Sequence, residues 1–317
     1  MHVRKAVITA AARGLRLYPA GDPVEKSSLP LLDQDGVVKP LLQIVAEEAL
    51  RAGIEELAVI CAPGDEPRYR ERFAQRARSV REAFGDVEWA ETQAQHLEEL
   101  LARTRFLVQE EARGYGHAVL QARAFAGDEP FLLLLGDHLY LSHERERGCA
   151  AQLVQAAERA GRSLCAVQAT REHLVPRYGT IRAEREATSG GLWRVRAVIE
   201  KPSLSRAELE LQTNGLRAGH YLCFFGMHVL LPAIFEPLEE AARGNGEVGL
   251  SEALDRLARE QELYAHELAG VRCDVGGNLG YLRTQLALGL AGARRDEVLA
   301  LLVETLASQA PHGGARA

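Results

Sequence analysis

Short apolar runs alternate with helical patterns over the first half of this 317-residue chain, and the alternation constrains the fold more than any other feature. Between the runs lie segments with apolar residues at helical spacing, such as 41–52, which ends before Gly53. Strands that alternate with helices predict an α/β fold with a mainly parallel, Rossmann-like sheet and helices on both faces. The predicted strands are Ala6–Thr9, Leu57–Cys61, Phe106–Val108, Phe131–Leu135 and 164–169, and further helices are predicted from near Asp65, over 116–125 and over 145–160.

The second half is less regular, but no internal repeat and no Pro- or Ser-rich linker separates it from the first. We therefore expect one domain over residues 1–280, a C-terminal helical extension over 281–310 and a disordered tail over 311–317. The predicted strands of this half are Tyr178–Arg182, Leu192–Ile199 and Leu222–Phe225, with a turn at 189–191; the predicted helices are 229–242, 250–260 and two segments within 281–309.

Charge and cysteine content argue against several classes of partner. The net charge is −6 and the isoelectric point is about 6.0, so no broad basic face is expected for nucleic acid. The Arg-rich run 68–72 is interleaved with Glu and predicts a solvated helix face. No apolar stretch reaches the roughly 20 residues that span a bilayer, and we expect no signal peptide. Five scattered cysteines without a CxxC pair indicate reduced thiols, as in a cytoplasmic protein.

The loops that follow the predicted strands carry the candidate chemistry, because ligands of parallel sheets bind beyond the carboxyl ends of the strands. Asp137 follows the apolar run 131–135, and its carboxylate suits Mg²⁺ or a ligand hydroxyl, unless it serves as a turn or cap residue. Gly114 and Gly116 precede a helix start, where a base or phosphate could approach the backbone, or they form a plain loop. The amide of Gln109 could read a base edge.

Two further groups lie in the second half. Glu200 and Lys201 close an apolar strand before Pro202, so they offer one anion for sugar hydroxyls and one cation for a phosphate, or else form a surface ion pair. Asp274 precedes glycines, and together with Asp137 it could clamp a divalent metal on a phosphate.

The stretch AAARGLRLYP at residues 10–19 is open to two interpretations, a phosphate loop with few glycines or a charged turn. The chain contains no HExxH motif, no GxxxxGK[ST] loop and no GxGxxG at the first turn. Neither a zinc protease nor a P-loop enzyme is therefore indicated.

Taken in order, the motifs resemble the bacterial sugar-1-phosphate nucleotidyltransferase family. The matching segments run from about residue 4 to about residue 290, and YGHAVL and DVGGNLGY are more similar to its uridylyltransferases than to its thymidylyl-, adenylyl- or guanylyltransferases. They are KAVI, RGLRLYP, EKSSLPLLD, KPLLQIVAEEALRAGIEE, QEEARGYGHAVL, GDEPFLLLLGD, YGTI, VIEKP, AGHYL, GEVGLSEAL and CDVGGNLGY.

The resemblance implies a nucleotide-binding first half, a sugar-binding second half and a role for each matching residue. Nucleotide binding would involve Ala11, Ala12, Gly14 and Arg16 of the first loop, with Gln109, Gly114 and Gly116 at the uracil. Sugar binding would involve Gly179, Glu200 and Gly219, Mg²⁺ would be held by Asp137 and Asp274, and the catalytic cations would be Arg16, Lys26 and Lys201. Glu247 matches a family position whose role is less defined.

The implied reaction converts UTP and glucose 1-phosphate into UDP-glucose and pyrophosphate. The sugar phosphate would attack the α-phosphorus in line, and the cations and Mg²⁺ would offset the repulsion between the two polyanions. In the resembled family the C-terminal helices often make oligomer contacts, so a homo-oligomer is expected, with packing on the chain's own domain as the alternative.

Several positions depart from the family pattern. The usual AGxGTR frame has Ala12 for its first Gly and Leu15 for its Thr, Glu25 replaces a Pro, and Asn278 replaces a Lys. An insertion near 34–38 contains DQDG, which predicts a tight turn. These departures leave three hypotheses: an active uridylyltransferase, the same chemistry with another nucleotide or sugar such as dTTP, and a non-catalytic paralogue that binds sugar nucleotide.

Overall fold

The computed structural model describes residues 1–11, 26–186, 191–260 and 263–309, with the side chain of Asn278 left out. Within these residues, a nine-stranded sheet takes its strands from both halves of the sequence, and there are two further sheets of two strands each. The strands are β1 (Lys5–Thr9), β2 (Pro30–Leu32), β3 (Val38–Pro40), β4 (Glu56–Cys61), β5 (Thr104–Val108), β6 (Phe131–Leu135), β7 (His138–Ser142), β8 (Ser163–Arg171), β9 (Thr180–Arg185), β10 (Trp193–Ile199), β11 (His220–Leu230), β12 (Leu263–Glu267) and β13 (Gly270–Asp274).

The large sheet is mixed, with the strand order β5-β4-β1-β6-β11-β8-β12-β10-β9. The strands β5, β4, β1 and β6 are parallel to one another, as predicted, and β12 is parallel to β8. In contrast, β11 is antiparallel to β6 and β8, and β10 is antiparallel to β9 and β12. The prediction of a mainly parallel sheet is therefore wrong for the second half, because a link as short as that from β9 to β10 cannot make the crossover that parallel strands need.

Helices cover both faces of the sheet, as predicted. Alternate residues of each central strand enter different cores: Ile8 packs in the core that contains α1 and α6, whereas Val7 packs in the core that contains α4, α8 and α9. The helices are α1 (Leu41–Arg51), α2 (Asp65–Phe84), α3 (Glu88–Arg103), α4 (Tyr115–Leu120), α5 (Arg123–Ala126), α6 (Cys149–Ala160), α7 (Leu204–Glu210), α8 (Phe235–Ala242), α9 (Leu250–Arg259), α10 (Asn278–Ala291) and α11 (Arg295–Ser308).

Two predicted helices differ from the observed ones. The helix predicted over 229–242 begins only at Phe235, because β11 continues to Leu230 through an apolar run that is buried in the sheet. The helix predicted over 116–125 is divided into α4 and α5. The helix near Asp65 is confirmed.

Helix α10 and the link after it pack on the β2–β3 hairpin, whose loop contains the predicted DQDG turn. Tyr281 Oη donates to the carbonyl of Pro30 at 2.6 Å, and Gln34 O accepts from the amide of Ala293 at 2.7 Å. None of the residues of α11 is buried, and Leu301, Val303 and Leu306 are exposed.

Within the described residues no helix is both long enough and apolar enough to cross a membrane. The predicted tail at 311–317 and most of the turn at 189–191 lie outside the described residues.

Candidate active site

A cleft of about 670 Å³ opens at the carboxyl ends of β1, β5 and β6, and residues of the second half line its far side. Most described residues predicted to bind ligand lie in its wall. They are Ala11, Lys26, Gln109, Gly114, Asp137, Gly179, Glu200, Lys201 and Asp274. Gly116 and Gly219 lie outside this lining, and Ala12, Gly14 and Arg16 fall outside the described residues.

The two predicted metal ligands meet beside a third residue, His138. Asp137 follows β6, and Asp274 ends β13, where it pairs in register with His138 of β7. One potential ligand atom from each of these three residues lies within 4.8 Å of the others. Two carboxylates are the kind of oxygen donor that Mg²⁺ prefers, so the residues fit that ion. His138 was missed at the sequence level, although it directly follows Asp137.

Lys26 and His138 hold Asp137 in its charged form. Nζ of Lys26 lies 2.8 Å from Oδ2 of Asp137, and Nδ1 of His138 lies 2.9 Å from Oδ1. Burial disfavours the carboxylate, but the hydrogen bond and charge of His138 and the charge of Lys26 outweigh it and hold the pKa of Asp137 well below its usual range. Lys26 is 7% exposed, so this ion pair is largely removed from water.

Residues 109–117, which the sequence predicts to contact the base and which we call the base-binding turn, are held together by hydrogen bonds among themselves. Gln109 is buried, and its Nε2 donates to the carbonyl of Gly114 at 3.2 Å. Gly114 has φ 104°, and a Cβ there would lie 2.8 Å from the carbonyl oxygen of Val248. A Cβ on Gly116 would lie 2.7 Å from the carbonyl oxygen of Gly249. The glycines are therefore required for packing against residues 247–249, a reason that the sequence pattern did not reveal.

The side of the cleft that is predicted to bind the sugar, which we call the sugar side, is centred on Glu200. Its Oε2 accepts from the hydroxyl of Ser251 at 2.6 Å, and Nζ of Lys201 lies 3.3 Å from its Oε1. A Cβ on Gly179 would lie 2.5 Å from the ring of Phe224 and 2.9 Å from Oε2 of Glu200, so glycine leaves the room that this carboxylate occupies. Lys201 has φ 43°, a conformation that costs a non-glycine residue about 1–3 kcal/mol.

Gly226 lines the cleft, whereas Gly219, which the sequence predicts at the sugar site, lies outside the cleft lining. Gly219 has φ 71° in the turn before β11, and its carbonyl accepts from the amide of Glu172. Gly226 has φ 96° and lies where the register of β11 shifts; a Cβ there would lie 3.3 Å from the imidazole of His138. A glycine within an apolar strand is typical of a bulge or a close approach, so FFGMH contained a signal for it.

Buried polar groups also line the cleft. Nδ1 of His228 is buried without a hydrogen-bond partner among the described residues, as is the hydroxyl of Tyr115. Burial lowers the pKa of His228 to about 3, so its imidazole is neutral at pH 7. On the sugar side, the guanidinium of Arg272 stacks 3.5 Å from the ring centroid of Tyr178 and so holds that ring at the cleft.

Comparison with known proteins agrees with this geometry. A model of the family described as nucleotidyl transferase matches residues 5–288. The chain is 32% identical over 308 residues to UTP–glucose-1-phosphate uridylyltransferase 2 of Staphylococcus saprophyticus, covering 96% of this chain and 98% of that one. It is 34% identical over 300 residues to UTP–glucose-1-phosphate uridylyltransferase of Streptococcus pneumoniae, covering 91% of each. A solved UDP-glucose pyrophosphorylase complexed with UDP-glucose superposes with a TM-score of 0.71 at 26% identity, covering 90% of this chain and 98% of that one.

Proposed function

Because the chain belongs to the nucleotidyl transferase family, we propose that it converts UTP and glucose 1-phosphate into UDP-glucose and pyrophosphate. One observation carries the proposal: the Lys26–Asp137 pair, Asp274 and the Glu200–Lys201 pair line a single cleft. A reaction between two polyanions needs cations and a metal site at one place. The names of the relatives support the choice of UTP and glucose 1-phosphate.

We assign Asp137 and Asp274 as the ligands of Mg²⁺. When bound, the ion supplies positive charge against the phosphates of the substrates. His138 donates to Asp137 rather than standing free, so its proposed role is to orient that carboxylate. Lys26 would share Oδ2 of Asp137 with the ion, and its ammonium is proposed to bind a nucleotide phosphate when the ion takes its place.

The protein's own residues bring the reacting atoms together. Lys201 binds the phosphate of the sugar, Lys26 binds a phosphate of the nucleotide, and Arg16 joins them from the first loop. An oxygen of the sugar phosphate then attacks the α-phosphorus while pyrophosphate leaves on the opposite side. The attacking oxygen is already negatively charged, so no general base and no covalent enzyme intermediate are needed.

The remaining assignments concern recognition. Gln109 and Gly114 are proposed to contact the uracil beside Ala11, and Gly116 to support them from outside the cleft. Ala12 and Gly14 are proposed to belong to the loop over the phosphates. On the sugar side we propose Gly179 and Glu200, with Gly226 in the place first assigned to Gly219.

The test is a screen of pyrophosphate release with UTP, dTTP, ATP and GTP against several sugar 1-phosphates in the presence of Mg²⁺. UTP with glucose 1-phosphate should give the highest kcat/KM, and Asp137→Asn should abolish turnover. A preference for dTTP would support the same chemistry on another base. No turnover with any pair, together with thermal stabilisation by UDP-glucose, would instead support the non-catalytic paralogue.

We further propose that α11 forms contacts between copies of this chain. Its exposed Leu301, Val303 and Leu306 support this, because apolar residues on a helix without a buried face are typical of an interface. We also propose a cytoplasmic location, supported by five cysteines that are all buried and unpaired.

A further inference from the structure

One short segment joins the base-binding turn to the sugar side of the cleft. Residues 247–251, which we call the bridging segment, run from Glu247 into the first turn of α9. The amide of Val248 donates to the carbonyl of Arg113 at 2.7 Å, and the carbonyl of Val248 accepts from the amide of His117 at 3.3 Å. Backbone pairing therefore attaches the segment to the base-binding turn on both sides of Gly114.

The fit between the segment and the turn is close. The two Cβ positions that would collide with it, on Gly114 and Gly116, both lie in the base-binding turn. Val248 is fully buried. The guanidinium of Arg113 donates to the carbonyls of Ala242 and Gly246 at 3.2 Å each, which holds the chain leading into the segment. The segment has little freedom to move apart from the turn.

The other end of the segment reaches the sugar side. The hydroxyl of Ser251, which is 7% exposed, donates to Oε2 of Glu200 at 2.6 Å. Gly179 lies beside that oxygen, since a Cβ there would be 2.9 Å from it, and Nζ of Lys201 lies 3.3 Å from the other oxygen. Without the hydroxyl, Oε2 loses its hydrogen-bond donor, and the carboxylate can rotate towards solvent.

We propose that Ser251 is a positioning residue for glucose 1-phosphate: through the bridging segment, the base-binding turn sets the orientation of Glu200. This inference rests on the proposed function. It predicts that a substitution at Ser251 and a substitution in the base-binding turn both change the affinity for the sugar phosphate. This should hold even for Gly116, which lies outside the cleft.

The first test is steady-state kinetics with each substrate varied in turn. Ser251→Ala should raise KM for glucose 1-phosphate about tenfold, the range of a hydrogen bond to a charged group, and leave KM for UTP within about twofold. Ser251→Thr, which keeps the hydroxyl, should have a KM for glucose 1-phosphate close to that of the wild type. Ser205→Ala, on exposed α7, is the matched control and should behave as the wild type. A purely structural serine would lower the melting temperature and shift both KM values equally, which would overturn the inference.

The second test is a double-mutant cycle with Gly116→Ala. The single change should raise KM for glucose 1-phosphate because it displaces Gly249, and the double variant should be no worse than the poorer single variant, since both act through one contact. If the fold-increases in KM of the two single variants multiply in the double variant, the two positions act independently and the coupling is refuted. A wild type that does not turn over glucose 1-phosphate would refute the proposed function and this inference with it, whereas an active wild type with an unchanged Ser251→Ala variant would refute the inference alone.

Discussion

Replacing Lys26 by Met should convert a protein that responds weakly to Mg²⁺ into one that depends on it for stability. The ammonium lies 2.8 Å from Oδ2 of Asp137, and both side chains are largely buried. Removing one partner of a buried ion pair costs about 3–5 kcal/mol. Here Asp137 keeps its hydrogen bond from His138 and is 21% exposed, so we expect a loss of about 2 kcal/mol, or roughly 3 °C in melting temperature for a chain of this length.

Mg²⁺ should reverse that loss. In the wild type the ion must compete with the ammonium of Lys26 for Asp137, whereas in Lys26→Met the carboxylate is free to join Asp274 around the ion. Binding at a hundredfold excess over Kd stabilises a protein by about 2.7 kcal/mol, which is enough to offset the lost ion pair. The melting temperature of the variant should therefore rise by about 4 °C with Mg²⁺, and that of the wild type by less than half as much.

The assay is thermal unfolding across a MgCl₂ titration without substrates, so it is independent of turnover. Lys5→Met is the matched control: Nζ of Lys5 lies 2.6 Å from Glu129, away from the cleft, and its loss should destabilise the protein without changing the response to Mg²⁺. The reasoning is refuted if Lys26→Met is indifferent to Mg²⁺, or if the wild type gains as much as the variant.

Three further predictions address the sugar side, a buried histidine and the C-terminal helix. Gly179→Ala should raise KM for glucose 1-phosphate at least tenfold with kcat/KM for UTP nearly unchanged, because its Cβ enters the space of the Glu200 carboxylate. Steady-state kinetics would show this, and Gly244→Ala should match the wild type, because a Cβ there makes only an ordinary contact of 3.5 Å with the carbonyl oxygen of Ala241. The unfolded state takes up a proton at His228 below about pH 6.5 and the folded state only near pH 3, so stability falls as pH falls, by about 2 kcal/mol at pH 5. Urea unfolding at pH 7 and pH 5 should show that His228→Leu removes this part of the pH dependence and that exposed His96→Gln retains it. Leu306→Glu on α11 should reduce the molar mass measured by light scattering, and an unchanged mass would exclude this helix from the interface.

The meeting of Asp137 with the other residues of the proposed metal site was predictable in part, because the end of an apolar strand can be recognised in a sequence. Asp137 follows five apolar residues, and a parallel strand places whatever follows it at the ligand-binding edge. Asp274 was harder to locate: its strand β13 pairs with β7 in a separate small sheet, a long-range contact without local pattern. The glycines that follow Asp274 in the sequence suggested its pairing with Asp137, and the ordered motifs supported that pairing.

Other features of the fold and of the cleft could not be predicted from the sequence, for physical reasons. The demand for glycine at Gly116 comes from a backbone carbonyl more than 130 residues further along the chain, and no local rule contains that information. The antiparallel half was missed because long buried strands such as β11 have the same apolar composition whichever way their neighbours run. Ala12, Leu15 and Glu25, three of the departures from the family pattern, lie outside the described residues, so their effect stays a prediction.

The placement of β12 and β13 also determines when the protein can be completed during synthesis. Both strands come from the last fifth of the chain, yet β12 lies between β8 and β10, and β13 delivers Asp274 to His138. At about 5–20 residues per second, the ribosome needs roughly 7–27 s to travel from His138 to Asp274. Over that interval β7 lacks its partner strand, and the edge of β8 that later receives β12 is open to other chains. A nascent chain can therefore assemble the parallel half early, but it brings Asp274 to His138 only after β13 has been synthesised.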